Sequence, residues 1–536
     1  MRVLCGQGVM PQAATIERVR GLGLDLIPGS GFLPACVPGS FDAWMTLLRD
    51  HGTMSVSEVL TPAILYARDG YPLVQRISDT IASLAEMFAK EWPTSAAVYL
   101  PGGKAPEGGK LFRNPGLAET YARIAREAEI GGRTREQRID HARHVWSQGF
   151  VAEAVGKFAA ANEAMDASGR RHRGLITADD MARWQATYDE PAKLDYHRYT
   201  MCKCGPWSQG PTMLQTLALL AGYDVAAMDP LGTEFVHAVV ECFKLAFADR
   251  EAFYADPNFV KVPMERLLSK DYADQRRKLI SREASREIRP GSIPGFGGPI
   301  LIGSAVLEGI PGLASQAVGE PTIARLNTGH DAGEPALSRN GVMAGDTVHL
   351  DVIDRHGNMV SATPSGGWLQ SSPVIPELGF CLGTRGQMFW LDPAVPGALK
   401  PGKRPRTTLT PSMALRDGKP WLAFGTPGGD QQEQWSLVTF LRHVHHGMNL
   451  QEAIDAPNFH TEHLVSSFWP RAAKTGVLAI EDRLPAGTQT ELAKRGHSIE
   501  KRGDWALGRV SAAKREDGML KAAANPRGMQ GYALGR

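Results

Sequence analysis

The feature that most constrains this chain is a break in pattern about two-thirds of the way along. Residues 284–345 begin with the turn-rich run Pro290-Gly-Ser-Ile-Pro-Gly-Phe-Gly-Gly-Pro299 and show no sustained periodicity through Asn340 and Gly345. A loop of that length inside a compact protein is uncommon unless it is functional or unfolded. Ahead of it the sequence reads as helices joined by loops. Ser55 with Glu58 three residues on forms a capping box, Pro62 suits a helical turn and Gly70 a stop. Thr177 with Asp180 opens another helix in the same way. Val236, Val239, Val240, Phe243, Ala246 and Phe247 keep helical spacing, and His237 among them reads as a packed core residue.

Behind the break the pattern turns to strands. Val348, Leu350 and Val352 alternate with His349 and Asp351, Asp354 to Asn358 is a turn signal, and Met359 to Ser365 reads as the return strand. A hairpin symmetric about His356 places Thr347 opposite Ser365 and His349 opposite Thr363, gathering hydroxyls at one end. A second hairpin runs from Ser412–Leu415 through Asp417-Gly418 to Pro420–Gly425. Thr426-Pro-Gly-Gly-Asp430 follows, then a helix to about His446, stopped by Gly447.

Composition removes several classes. Lys plus Arg is 59 and Asp plus Glu is 57 in 536 residues, a formal net charge of +2, so nothing favours nucleic acid. A 43% hydrophobic and 22% charged content is that of a globular protein. No apolar run of about 18 residues marks a membrane span. The first residues lack the apolar block of a secretory signal, which predicts a cytoplasmic chain as written, or a periplasmic one if residues are missing ahead of it. Six cysteines, with Cys202-Lys-Cys204 the only close pair, read as reduced structural thiols. His443, His445 and His446 lack a spaced partner for a metal, and no phosphate-binding glycine motif follows a strand. Neither metal nor cofactor is expected.

Three groups carry candidate chemistry. A threonine hydroxyl is a weak nucleophile unless a base stands beside it, and a chain-terminal threonine supplies that base with its own amine. Thr347 reaches that state only if the Asp346–Thr347 peptide is cut, which its own hydroxyl can do by attacking the preceding carbonyl. On local sequence alone, an ordinary β-branched strand residue is the simpler reading. Gly428-Gly429 between strand and helix suits an oxyanion hole, or a plain tight turn. Asp430 with Glu433 resembles a helix N-cap. Arg406, with Thr407 and Thr408 in Pro401-Gly-Lys-Arg-Pro-Arg-Thr-Thr-Leu-Thr-Pro411, reads as a carboxylate cradle or a solvated basic turn.

Ordered motifs across nearly the whole chain resemble the γ-glutamyltransferase family of N-terminal-nucleophile hydrolases. They are Val37-Pro-Gly39, Leu60-Thr-Pro-Ala63, Lys244-Leu-Ala-Phe-Ala-Asp-Arg250, Gly345 to Asp354, Gly402-Lys-Arg-Pro405, Pro427-Gly-Gly429, Ile454-Asp-Ala-Pro457 and Phe459-His460. The resemblance implies an α+β fold, a four-layer αββα sandwich, here without part of the family's usual N-terminal region. It implies a precursor cut into segments 1–346 and 347–536 that stay together as a heterodimer, with pairing of two such heterodimers left open. Thr347 matches the nucleophile, Ser365 an assisting hydroxyl, Gly428 and Gly429 the oxyanion glycines, and Thr407 and Thr408 a serine pair that holds a substrate carboxylate. Two positions depart. Phe389 follows Gln387-Met388 where the transferases carry an acid for the substrate's α-ammonium, and Gln7 stands where they carry an arginine for its α-carboxylate. With Arg385-Gly386 and Asp430-Gln431-Gln432, this resembles the amidohydrolase-like branch, to which oxamate amidohydrolase belongs. The expected substrate is a small amide bearing a carboxylate, with Asp430 as a candidate for the missing charge. The rival readings are a true γ-glutamyltransferase or glutathione hydrolase, and an unprocessed precursor without activity.

Overall fold

The computed structural model describes residues 1–303, 347–365, 369–527 and 531–535. Asp346, half of the expected cleavage site, lies outside them. Two helical cues are met where the sequence puts them. Ser55 caps α1 (Val56–Asp69) through a reciprocal box with Glu58, Pro62 lies inside that helix, and Gly70 ends it at φ 99°. Thr177 does the same for α2 (Ala178–Arg183) with Asp180. The early helices bury one apolar core, in which Phe41 stacks on Trp146 with centroids 4.6 Å apart. Ile375, Leu378 and Leu382 from beyond the break complete it.

A six-stranded antiparallel sheet organises the rest. It takes β1 (Ala192–Tyr196) and β2 (Tyr199–Lys203) from before the break, and β5 (Ser412–Arg416), β6 (Lys419–Gly425), β7 (Ser511–Glu516) and β8 (Met519–Ala524) from after it. The order is β8-β7-β6-β5-β2-β1, so the two halves of the chain meet edge to edge at β5–β2, with Ser412 opposite Lys203. The turn between β5 and β6 has φ 51° at Asp417 and 75° at Gly418, the paired positive values that match strand twist in a two-residue hairpin. The helices α3 (Pro211–Leu220), α4 (Thr233–Phe253) and α5 (Gln432–His445) share the core on one face of this sheet. As expected, α4 is buried along its length, and His237 is a packed residue at 4% exposure.

On the other face lies the hairpin of β3 (Leu350–Ile353) and β4 (Met359–Ala362), packed on β6 and β7. Its register is the symmetric one: Met359 pairs with Ile353, Val360 with Val352, Ser361 with Asp351 and Ala362 with Leu350. Its faces are the reverse of a simple hydrophobic-in pattern. Val348, Leu350 and Val352 are 54%, 37% and 53% exposed, whereas the side chains of His349 and Asp351 are 1% and 3% exposed. Alternation says which residues share a face, not which face is inward. The inward polar groups satisfy one another: His349 Nδ1 contacts Thr363 Oγ1 at 2.8 Å, His349 Nε2 contacts Asp351 Oδ2 at 2.9 Å, and Ser361 donates to Asp351 Oδ1 at 2.7 Å.

Candidate active site

The site is built where the hairpin's open end meets the end of β6. The His349 ring packs on Gly425 so closely that a Cβ at Gly425 would stand 2.5 Å from it. Ser361 also contacts the Phe424 carbonyl, at 3.4 Å. Thr347 lies two residues before His349, and Gly428 three residues after Gly425, so this contact brings nucleophile candidate and glycine pair to one end of the two sheets. Thr347 is buried at 7% exposure, and its hydroxyl donates to Ser365 Oγ at 3.2 Å. Gly428 has φ 141° and ψ 26°, and Gly429 has φ 49°, conformations that side chains rarely tolerate. A short 3-10 turn, Gly429–Gln431, leads from them into α5, where unpaired N–H groups and the helix dipole favour negative charge. One turn into α5, Glu433 is fully buried 3.0 Å from Lys203 of β2; burial pushes its carboxyl up to about 7 against the pull of that lysine.

The basic loop is neither a carboxylate cradle nor a solvated turn. Lys403 is buried, donating to the carbonyls of Pro396 at 2.6 Å and Ala398 at 3.0 Å, and burial lowers its pKa to about 8. Arg404 pairs with Asp256 at 2.8 Å and Asp189 at 2.9 Å. Arg406 pairs with Glu251 of α4 at 2.5 Å and donates to Ser467 Oγ at 3.0 Å. Arg406 is therefore engaged inside the protein, because a buried charge requires a partner. Thr407 is held by its backbone, donating to the Trp207 carbonyl and accepting from Gln209 N, and its hydroxyl accepts from Leu409 N. Thr408 differs: its hydroxyl accepts from Arg385 Nη1 at 3.2 Å, both residues being buried. The cation beside the threonine pair is Arg385, not Arg406.

Three further expectations are corrected. Asp430 is wholly buried and neutralised by Arg250 at 2.5 Å, and it accepts from Ser467 N and Oγ at 2.8 and 2.6 Å. It is neither a helix cap nor an open anion for a substrate ammonium. Phe389 is 1% exposed in a core with Met10, Leu33, Leu391 and Leu399, an apolar ring drawn away from a polar site. Gln7 turns its amide onto the neighbouring Gly8 carbonyl at 3.0 Å. Among the described residues, His237, Glu241 and His497 hold ligand atoms within 4.8 Å of one another. Their contacts are internal: the imidazoles meet at 2.9 Å, and Glu241 pairs with Lys244 at 2.6 Å and Arg289 at 3.3 Å. Sequence reading missed Arg385 as a site residue, and also missed Gln209 and Arg250, which reach the glycine loop from β2's side of the sheet. The only sequence trace of Arg250 is its place in the Lys244–Arg250 motif.

The sequence model of gamma-glutamyltranspeptidase matches residues 1–535. The chain belongs to the gamma-glutamyltranspeptidase family. This family member is 30% identical over 501 residues to the acylase ACY 1 proenzyme of Pseudomonas sp. (strain SE83), covering 92% of this chain and 74% of that one. It is 28% identical over 532 residues to the oxamate amidohydrolase proenzyme of Klebsiella pneumoniae, covering 97% and 84%. The solved structure of LmbA2991HD superposes with a TM-score of 0.89 at 49% identity, covering 100% of this chain and 88% of that one. The gamma-glutamyltranspeptidase-family chain is thus an enzyme of the N-terminal-nucleophile hydrolase type, with that α+β fold. No helix among its described residues is long and apolar enough to cross a membrane.

Proposed function

We propose that the protein is an autoprocessing amidohydrolase that cleaves small, carboxylate-bearing amides through Thr347. The observation that carries this reading is the buried Thr347 hydroxyl, 3.2 Å from Ser365 Oγ, beside two glycines at positive φ. Maturation begins when Thr347 Oγ attacks the Asp346 carbonyl carbon. The C–N bond breaks, the nitrogen keeps a proton to become the new amine, and water then hydrolyses the ester to free Thr347. In turnover that amine takes the hydroxyl proton as Oγ attacks the substrate carbonyl. Backbone N–H groups of the Gly428–Gly429 loop face the oxyanion. The leaving amine takes the proton, and water releases the acid from the acyl-threonine ester. The relatives' proenzyme names support processing. The pairing of β2 with β5 supports a heterodimer that holds together after the cut.

The preference for a carboxylate without an α-ammonium rests on the same geometry. Arg385 with Thr408 suits one carboxylate. Asp430, the acid considered for an ammonium, is already neutralised by Arg250, and Phe389 is in the core. A lost charge-assisted contact costs about 1.5–3 kcal/mol, roughly 10–150-fold in affinity. Steady-state kcat/KM is therefore expected to be higher for oxamate than for glutathione or a γ-glutamyl anilide. Arg385→Gln is expected to raise KM for oxamate by about tenfold or more and to change kcat less. A tenfold preference for glutathione would return the protein to ordinary γ-glutamyl chemistry.

A further inference from the structure

The glycine pair at the oxyanion position has little stiffness of its own, since two adjacent glycines leave the backbone free to take many conformations. A side chain from the other segment of the chain pins it. Gln209 Nε2 donates to the Gly429 carbonyl oxygen at 2.8 Å. Gln209 is itself oriented by Arg250, whose Nη1 donates to Gln209 Oε1 at 2.8 Å and so assigns the two ends of the amide. The same Nη1 reaches Asp430 Oδ1, in the residue that follows Gly429, at 2.5 Å. Arg250 Nη2 is held in turn by the Val465 carbonyl at 2.7 Å, and Ser467 N closes the far oxygen of Asp430 at 2.8 Å. Gln209, Arg250 and Asp430 each have 0% exposure, so water does not compete for these bonds.

We propose that Gln209 and Arg250 are positioning residues that aim the N–H groups of the glycine loop at the oxyanion. Neither is assigned a contact with the reacting atoms. Holding the Gly429 carbonyl from one side and the Asp430 carboxylate from the other fixes the peptide plane between them. That limits rotation at Gly429, where a glycine alone limits nothing. The inference rests on the Thr347 reading, and it adds that the large segment sets the geometry of an oxyanion site carried by the small one.

The test uses the full chain after maturation. Gln209→Met removes both hydrogen bonds at nearly the same side-chain length. Gln209→Glu keeps an acceptor for Arg250 but has no donor for Gly429, so it decides the matter if Gln209→Met fails to fold. Misaiming a donor should cost up to the about 10²–10³ in kcat seen when one is removed, with KM unchanged. The inhibition constant of phenylboronic acid, whose Thr347 adduct is tetrahedral and anionic, should rise in step with the loss of kcat. A merely structural role would lower Tm and the yield of mature protein without separating kcat from KM. Autocleavage passes through its own tetrahedral oxyanion, so slow maturation at unchanged Tm also supports the proposal. A folded, mature variant with wild-type kcat and wild-type boronate affinity overturns it while leaving the Thr347 reading intact. Wild-type protein that neither matures nor hydrolyses any amide overturns both.

Discussion

Thr347→Ala is expected to remain a single full-length band under denaturing electrophoresis, while wild-type protein resolves into fragments of roughly 37 and 21 kDa, scaled from chain length. The two effects have one cause. Without the hydroxyl there is no attack on the Asp346 carbonyl, hence no new amine, hence no base for turnover. Loss of an activated nucleophile costs about 10⁶ in kcat in comparable hydrolases, so activity should fall to background. Misfolding is separated from chemistry by Thr347→Ser, which keeps the oxygen and the hydrogen-bond geometry toward Ser365. That variant should still cleave. Wild-type protein that stays whole under assay conditions would favour the unprocessed precursor, and a cleaved Thr347→Ala would rule out self-attack by this residue.

The hairpin that carries Thr347 was legible because its signals are local. Asp354 Oδ1 accepts from the N–H groups of His356 and Asn358, and Gly357 turns at φ 86°, so the turn fixes the register over a few residues. The same locality explains the helix caps at Ser55 and Thr177. What alternation cannot carry is the sense of burial. The polar row of His349 and Asp351 faces inward because Thr363 and Ser361 supply partners there. Strands β1 and β2 were illegible for a different reason. Ala192–Tyr196 mixes Lys193 and Asp195 with apolar residues in a short run, on the helical side of the break, and only β5, more than 200 residues later, makes it part of a sheet.

The site divides along the same line. Thr347, Ser365 and the glycine pair are local motifs, and the resemblance placed them. The charged groups are not local. Arg406 looked available because its neighbours in sequence are threonines, yet its partner Glu251 lies 155 positions away on α4. Asp430 looked like a cap because Glu433 is near, yet Arg250 lies 180 positions away. In a low-dielectric interior an ion pair competes successfully against any looser role its members might take. Electrostatic roles are therefore assigned by the fold, and Arg385 beside Thr408 emerges only there.

Gly429→Ala is expected to separate the turn reading of the glycine pair from the oxyanion reading, because the two predict losses in different quantities. At φ 49° a side chain costs about 1–2 kcal/mol of backbone strain. That strain alone appears as a fall in Tm of a few degrees, about 2–4 °C per kcal/mol for a chain of 150–250 residues and less for a longer one. A displaced oxyanion donor costs about 2.7–4 kcal/mol in the transition state, or 10²–10³ in kcat. Gly428 is the poorer probe, since φ 141° with ψ 26° lies where a side chain is tolerated less still and folding would suffer first. The measurement is kcat on mature Gly429→Ala beside its Tm. A modest Tm loss with kcat down by two orders of magnitude or more places the transition state against this loop. A folded, cleaved variant with near-normal kcat leaves glycine there for the turn alone, and the oxyanion donors must then be sought elsewhere around Thr347.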